Sequence, residues 1–252
     1  MSMKKAFKLI RKNTFISCIP LISANRNELL ADVEVGVANG CDFLEWRRDH
    51  FMPGEQLTAA EEQDLLNEIK TRMPNQGLIY TYRSHLEGGV YETRDEIRTA
   101  AVIAAIKSNR VDYVDVELNS DSALLEQIKE VLKTSETQWL VSSHNFEKTP
   151  SGAEINAVFC AMERAGGDVL KLAVMPQSMD DVRHLIQTTL TYNENSRKPM
   201  IAIAMGSLGA ITRIAPDLCG GSLTFAAGAG KTAPGQLSLE EIIDLRKRMA
   251  LI

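Results

Sequence analysis

The sequence predicts an α/β protein in which eight parallel strands form a closed (β/α)8 barrel, the TIM barrel, as a single domain over residues 1–252. Short runs rich in β-branched and aromatic residues alternate eight times with longer helical patterns, and no change in composition marks a domain boundary. Alternating strands and helices indicate a parallel sheet. Eight such units in about 250 residues match the size of a closed barrel. An open, doubly wound sheet is the alternative, and the eightfold count favours the barrel.

Each predicted strand is a short, mostly apolar run that a helical pattern follows. The predicted strands span residues 15–21, 42–47, 77–83, 113–118, 138–144, 169–175, 200–205 and 222–226. The predicted helices span residues 26–39, 59–73, 94–108, 122–133, 153–165, 179–192, 208–218 and 239–250. Several helical patterns end in Asn or Gly, residues that commonly terminate helices, as at Asn39-Gly40, Gly166-Gly167 and Gly220-Gly221.

Charge and hydropathy exclude two classes of partner. The chain carries 28 basic and 33 acidic side chains, a formal net charge of -5, whereas a nucleic-acid binder normally has a basic stripe. No uncharged apolar run reaches the length of about 18 residues that a membrane-spanning helix needs. Lysines and arginines before the apolar stretch 15–22 resemble a secretory signal, but Pro20 interrupts that stretch and we interpret it as the first strand. We therefore expect neither nucleic acid nor a membrane as a partner.

Cysteine and histidine usage indicates a reducing compartment and no metal. The cysteines are scattered without C-x-x-C spacing, which is typical of free thiols in the cytoplasm, at Cys18, Cys41, Cys160 and Cys219. The histidines show no ligand spacing that is typical of a zinc site, at His50, His85, His144 and His184. We expect a cytoplasmic protein without a metal site.

Polar residues interrupt the predicted strands toward their C-terminal ends. Buried parallel strands usually read as nearly continuous apolar runs. Here polar residues occur two apart and so share a face, as Glu45 with Arg47, Thr81 with Arg83, Asp115 with Glu117, and Ser142 with His144. Each pair alone could be a structural ion pair or hydrogen bond. Burying many charges together costs several kcal/mol each unless they are paired or used, and barrel active sites lie at this end. The set predicts a functional site.

Lys171 is the most informative residue of that set. It lies inside the apolar run Val-Leu-Lys-Leu-Ala-Val, and burial disfavours the charged form of an amine. A neutral amine can condense with a carbonyl to form a Schiff base. A plain salt bridge from Lys171 to Asp115 or Glu117 is the alternative. His144, on the preceding strand, can transfer protons near neutral pH.

Three arginines come from separate segments of the same rim: Arg47, Arg83 and Arg213. Guanidinium groups suit carboxylate or phosphate ligands. Their convergence predicts an anionic substrate, unless they only neutralise Glu45, Glu87 and Glu117.

From about Phe15 to the C-terminal helix, the chain resembles type I 3-dehydroquinate dehydratase (3-dehydroquinase), the Schiff-base enzyme of the shikimate pathway. The resemblance depends on motifs that are specific in combination and occur in this order: Glu45-Trp46-Arg47-Arg48-Asp49, Thr81-Tyr82-Arg83, Glu87-Gly88-Gly89, Ser143-His144-Asn145-Phe146, Thr149-Pro150, Lys171-Leu172-Ala173-Val174-Met175-Pro176, Met205-Gly206, Thr212-Arg213 and Ala233-Pro234-Gly235-Gln236.

The resemblance implies a hydro-lyase that converts 3-dehydroquinate into 3-dehydroshikimate in aromatic amino acid biosynthesis, without an external cofactor and as a homodimer. It implies that Lys171 forms an imine with the substrate ketone, that His144 transfers protons and that Glu87 orients His144. The implied substrate contacts are Glu45, Arg47, Arg83, Arg213, Thr232 and Gln236, with Arg213 the expected carboxylate partner. The chain departs from the pattern of some members at Pro20 and at Thr232, where they have serine.

Two other functions remain open at this point. A class I aldolase on the same barrel also uses an imine lysine, and one acting on phosphorylated sugars needs a phosphate site after strands seven and eight. A non-catalytic binding protein for small anions could use the same barrel mouth, since fold alone does not determine function.

Overall fold

The computed structural model describes residues 9–53, 57–228, 230 and 233–252. Within them, eight strands alternate with helices along the chain. The strands are β1 (Ile16–Leu21), β2 (Phe43–Arg47), β3 (Gly77–Thr81), β4 (Tyr113–Glu117), β5 (Gln138–Asn145), β6 (Val169–Val174), β7 (Met200–Ala204) and β8 (Leu223–Phe225). They form one parallel sheet in the order β7-β6-β5-β4-β3-β2-β1-β8, and β7 and β8 are in contact at its two ends. The predicted (β/α)8 barrel is confirmed.

The helices are α1 (Arg26–Ala38), α2 (Ala59–Arg72), α3 (Asp95–Lys107), α4 (Ser122–Leu132), α5 (Gly152–Ala165), α6 (Met179–Asn195), α7 (Ala210–Ile214) and α8 (Leu239–Arg248). Helices α2, α5, α6 and α8 each begin with a capping box, in which a serine or threonine side chain and an acidic side chain three residues later bond each other's backbone N–H groups. Local sequence therefore determines where these helices begin.

The predicted helix over 208–218 is wrong in its extent. Helix α7 ends at Ile214, and a 3-10 turn follows at Pro216–Cys219. Pro216 has no N–H to donate and disfavours the helical conformation of the residue before it. Ala215 accordingly has φ -132° and ψ 59°, which breaks the helix in two.

The core has two layers, one inside the barrel and one between the sheet and the helices. The inner layer consists of inward-facing residues of the strands, including Cys18, Phe43, Ile79, Tyr113, Leu140, Val169, Ile201 and Leu223. Gly77 is required there because a Cβ at this position would lie 2.1 Å from the Phe43 ring. Ile10 closes the N-terminal end, where its N–H donates to the Tyr113 hydroxyl at 2.9 Å. The apolar filling leaves the C-terminal end of the barrel for polar side chains.

Among the described residues, no helix is both long and apolar enough to cross a bilayer.

Candidate active site

The polar side chains predicted from the strand ends meet in one cavity at the C-terminal end of the barrel. The cavity has about 510 Å³ of empty space, part of it open to solvent. Thr232 lies outside the described residues. Every other predicted site residue lines the cavity: Glu45, Arg47, Arg83, Glu87, His144, Lys171, Arg213 and Gln236.

The amine of Lys171 lies in this cavity with its side chain only 6% exposed. Its Nζ donates a hydrogen bond to Asp115 Oδ2 at 2.8 Å and lies 3.8 Å from Glu45 Oε1. It also lies 4.2 Å from the centroid of the Phe225 ring, a cation–π contact. The salt bridge to Asp115 that sequence left as an alternative is therefore present. It holds the amine in a defined position within the cavity.

Asp115 joins Lys171 to two other buried side chains. Its carboxylate accepts hydrogen bonds from Ser142 Oγ at 2.6 Å and forms a salt bridge with Arg83 Nη2 at 2.7 Å. Burial opposes ionisation of Asp115, but Arg83 and Lys171 outweigh that effect and hold the pKa of this carboxyl well below its usual range. Asp115 is therefore a carboxylate at any pH near neutral, in contact with Lys171 and Arg83 of the cavity lining.

His144 and Glu87 form a second pair, and both line the cavity. Glu87 lies in a 3-10 turn (His85–Glu87) after β3, and its Oε2 accepts the backbone N–H of His144 at 2.9 Å. The same oxygen lies 3.0 Å from His144 Nδ1. With Glu87 ionised, Nδ1 carries the hydrogen of that contact and Nε2 is left with a lone pair. The pair thus sets the orientation of the ring and presents Nε2 as a base.

Burial shifts both members of this pair toward their uncharged forms. It raises the pKa of Glu87 to about 7, with Arg83 opposing the shift. Burial, followed by the positive charges of Arg83 and Lys171, lowers the pKa of His144 well below its usual value. His144 is therefore neutral near pH 7, the state that a proton acceptor requires.

The three predicted arginines differ in their hydrogen-bond and salt-bridge partners. Arg47 donates to both carboxylate oxygens of Asp49, from Nε at 2.8 Å and from Nη2 at 2.7 Å. Arg83 pairs with Asp115 at 2.7 Å and with Glu117 at 3.0 Å. Both arginines neutralise buried carboxylates, as the alternative interpretation allowed, although Asp49 and Asp115 were not the partners expected from sequence.

Arg213 has no such carboxylate among the described residues. Within that part of the chain, its terminal nitrogens donate to two backbone oxygens, of Phe225 at 3.4 Å and of Pro234 at 3.3 Å, and its buried Nε has no hydrogen-bond partner. The residue is 1% exposed, and burial lowers the pKa of Arg213 to about 10. A buried guanidinium without an anion can accept one from a ligand in the cavity.

No group of three or more His, Cys, Asp or Glu residues that could hold a metal ion occurs in the part of the chain that the structure describes. The cavity combines the Lys171 amine, the neutral His144 imidazole and the Arg213 guanidinium, which has no carboxylate partner within the described residues. These groups suit covalent and acid–base chemistry on a small anion.

The family model of the type I 3-dehydroquinases matches residues 17–250. The chain belongs to this family. It is 37% identical to the 3-dehydroquinate dehydratase of Shouchella clausii over 227 residues, which cover 89% of this chain and 88% of that protein. A similar fold is found in the 3-dehydroquinate dehydratase of Geobacillus kaustophilus, with a TM-score of 0.88 at 30% identity over 94% of this chain and 91% of that one. The type I enzyme of Clostridium difficile with covalent modified comenic acid has a TM-score of 0.86 at 27% identity, covering 96% and 98%.

Two aromatic residues that are not among the predicted site residues, Phe146 and Phe225, also line the cavity. The ring of Phe146 stacks on that of His144, with centroids 6.2 Å apart and planes 15° apart. Phe225 lies under the Lys171 amine. Phe146 lies two residues after His144 in the motif Ser143-His144-Asn145-Phe146, and Phe225 is the last residue of β8, so their positions at the ends of strands could have indicated them.

Gln236 and Glu45 complete the cavity wall. Gln236 is 2% exposed, and its Oε1 accepts the backbone N–H of Ala233 at 3.3 Å. Glu45 Oε1 accepts a hydrogen bond from Thr81 Oγ1 at 2.8 Å. Both side chains are thereby oriented before any ligand enters.

Proposed function

We propose that this protein dehydrates 3-dehydroquinate to 3-dehydroshikimate through an imine on Lys171, with His144 as the proton-transfer group. The observation that carries the proposal is the shared cavity of Lys171, the His144–Glu87 pair and Arg213, which has no carboxylate partner among the described residues, in a chain of the type I 3-dehydroquinase family. A family member from Clostridium difficile contains covalent modified comenic acid, which is in keeping with a nucleophilic residue in this cavity.

The first step is attack of the Lys171 nitrogen on the substrate ketone, after its ammonium group, the partner of Asp115, has given up a proton. The nitrogen forms a bond to the carbonyl carbon, the carbonyl oxygen takes up the released proton and a second hydrogen from the nitrogen and leaves as water, and a protonated imine results. This cation withdraws electrons from the adjacent carbon and acidifies its proton. Asp115, 2.8 Å from Nζ, faces the positive nitrogen and stabilises it.

The elimination then uses His144. Its Nε2 lone pair takes the α-proton, and the electrons move through the resulting enamine to expel the β-hydroxyl. His144 returns a proton to the departing oxygen, which leaves as water. A second water hydrolyses the product imine and frees Lys171. The lysine supplies the electron sink, so the reaction needs no external cofactor.

The remaining residues bind the substrate. Arg213 is the partner of the carboxylate, because it is the guanidinium of the three that holds no described carboxylate. Glu45, Arg47 and Gln236 face the substrate hydroxyls, and Thr232 is assigned to the same role by resemblance alone. Arg83 acts on the substrate mainly through the carboxylates that it holds.

We further propose that the chain works as one catalytic domain over residues 1–252, in the cytoplasm and as a homodimer. Free thiols at all four cysteines are in keeping with a reducing compartment. Sedimentation equilibrium over a range of protein concentrations tests the dimer, and a constant mass of 27.8 kDa would exclude it.

Reduction of the imine tests the mechanism. Borohydride added together with 3-dehydroquinate should inactivate the enzyme irreversibly, whereas either reagent alone should not. Reduction converts the imine into a secondary amine and fixes the ligand on Lys171. Trypsin should then fail to cut after Lys171, so the peptide 165–171 disappears and a heavier peptide 165–183 takes its place.

The matched control is Lys171→Ala, which should show neither inactivation nor the new peptide. Label on another lysine would contradict the assignment of Lys171. Dehydratase activity with no label at all would exclude the imine mechanism, and activity on a phosphorylated sugar but not on 3-dehydroquinate would favour an aldolase.

A further inference from the structure

Glu117, the last residue of β4, connects the catalytic cavity to the outer layer of helices. Its carboxylate is 3% exposed, and its two oxygens have different partners. Oε1 accepts from Arg83 Nη1 at 3.0 Å and from the backbone N–H of Ser84 at 2.8 Å. Oε2 accepts from Arg98 Nη1 at 3.2 Å. One carboxylate thus bridges an arginine of the cavity and an arginine of helix α3.

Arg98 does not line the catalytic cavity, and three groups accept hydrogen bonds from its side chain. Asp95, one helical turn earlier, accepts from its Nε at 3.2 Å and from its Nη2 at 2.7 Å. Its Nη1 also donates to the backbone oxygen of Tyr82 at 3.0 Å. The side chain is 8% exposed. Arg98 therefore presents one fixed nitrogen to both Glu117 and the backbone just after β3.

The segment after β3 is the one that carries Glu87. Tyr82 and Ser84 are anchored by Arg98 and Glu117, and the Ser84 side chain caps the 3-10 turn His85–Glu87 by accepting the N–H of Leu86 at 3.3 Å. The turn ends at Glu87, whose Oε2 holds both His144 N and Nδ1. A continuous set of contacts thus leads from α3 to the proposed base.

We propose that Arg98 is a positioning residue for the catalytic groups, acting through Glu117 on Arg83 and on the turn that holds Glu87 against His144. With respect to reaction rate, this inference rests on the function proposed above. Loss of the Arg98 cation removes the partner of Glu117 Oε2 and the anchor of the Tyr82 carbonyl, so the carboxylate and the turn rearrange together. Misplacement of catalytic groups by about 1 Å can cost on the order of 10²-fold in rate.

The kinetic test compares Arg98→Met with Arg98→Lys and with Asp95→Asn. Arg98→Met should lower kcat by about 10-fold or more while KM changes little, because substrate binding depends on Arg213 and other residues that Arg98 does not touch. Lysine can contact Glu117 as a single point charge and should restore part of kcat. Asp95→Asn keeps the oxygen Oδ1 that accepts both hydrogen bonds from Arg98 and removes only a charge that is 45% exposed, so its kcat should stay near that of the wild type.

A double-mutant cycle tests the route through Glu117. If Arg98 acts through this carboxylate, Arg98→Met should have little further effect on kcat in a Glu117→Gln background. Additive effects would contradict the route. A lower melting temperature for Arg98→Met with kcat, KM and pH profile unchanged would show a merely structural role and overturn the proposal.

A readout without substrate separates this inference from the proposed reaction. The chain has four histidines, so NMR can follow the titration of His144 by comparison with a His144→Gln sample. The charged groups that face His144 are Glu87, Arg83, Lys171, Asp115 and Arg47. Arg83 lowers the pKa of His144, so its displacement in Arg98→Met should shift the titration upward. Asp95→Asn should leave it in place.

The two proposals then fail in distinguishable ways. A shifted titration in a protein that does not dehydrate 3-dehydroquinate supports the positioning role and refutes the reaction. Wild-type dehydration with neither a kcat effect nor a titration shift in Arg98→Met refutes the positioning role and leaves the reaction standing. If Arg98→Met does not fold, Arg98→Lys decides by the same two measurements.

Discussion

Lys171 and Asp115 form a buried ion pair across the barrel interior, with Nζ 2.8 Å from Oδ2 and side-chain exposures of 6% and 0%. The two residues are 56 positions apart in sequence and lie on strands separated by β5. Arg83 contacts the same carboxylate, so one anion lies between two cations. Ion pairs buried this deeply lose much hydration energy and are held by their mutual contacts. This arrangement leads to the first prediction.

Asp115→Asn should destabilise the fold by about 3 kcal/mol or more, because it leaves two buried cations facing each other without their shared anion. Urea unfolding at pH 7 measures the change. Asp180→Asn is the matched control, since its partner Arg183 and Asp180 itself are 70% and 73% exposed. Exposed pairs contribute about 1 kcal/mol or less. Equal losses in both variants would contradict the importance of the buried anion.

His144→Ala should lower kcat by about 10²- to 10⁴-fold, the usual effect of removing a general acid–base group. Borohydride with 3-dehydroquinate should still label Lys171 in this variant, because nucleophilic attack and proton transfer belong to different residues. Steady-state kinetics and peptide mapping give both results. His184→Ala, at an exposed position of α6, is the control and should keep its activity. Near wild-type turnover in His144→Ala would refute the role of the imidazole.

Arg213→Ala should raise KM about 10- to 100-fold, since hydrogen bonds to charged groups contribute about 1.5–3 kcal/mol. The guanidinium has no described carboxylate in the free protein, so its loss mainly removes substrate binding. Arg183→Ala, on the exposed side of α6, is the control. An unchanged KM for Arg213→Ala, with a raised KM for Arg47→Ala, would move the carboxylate to Arg47.

The stability of the protein should depend on pH through Glu87. Burial raises the pKa of Glu87 from 4.5 to about 7, so the folded state holds this proton where the unfolded state has lost it. The contribution of Glu87 to the free energy of unfolding is therefore fully present below about pH 4.5. It declines as the pH rises to 7, by about 3 kcal/mol at most. Urea unfolding of the wild type and of Glu87→Gln at several pH values isolates this effect, because His144 is present in both proteins. A stability difference between the two that does not change across this window would contradict the raised pKa.

Local sequence signals were sufficient for most of the fold. Every predicted strand and helix has a counterpart, and several helix starts coincide with serine or threonine caps whose partner lies three residues away. The predicted helix over 208–218 is interrupted at Ala215 because Pro216 follows it, and this effect of proline is also local. Elements determined by contacts within a few residues can be predicted from those residues.

The residues that line the candidate site could also be predicted, whereas the ion pairs that they form could not. Inward-facing polar residues at strand ends identified Lys171 and His144, because alternation along a strand and burial in a parallel sheet are regular. The partner of each charge depends on distances between strands that are far apart in sequence. The sequence therefore left open whether Lys171 forms a salt bridge, which the structure shows with Asp115. It also suggested Glu45, Glu87 and Glu117 as partners of the arginines, whereas Arg47 pairs with Asp49.

By itself, the sequence determined the (β/α)8 barrel, the end of the barrel where the polar groups lie, and the resemblance to the type I 3-dehydroquinases. The tertiary structure decided that Arg213, of the three predicted arginines, has no carboxylate partner among the residues that the structure describes, and that Glu117 joins Arg83 to Arg98 in a different layer. Strand and helix formation follows the periodicity of neighbouring residues, which sequence displays directly. The protonation state of a buried side chain depends on desolvation and on charges that only folding brings close, so the tertiary structure determines it.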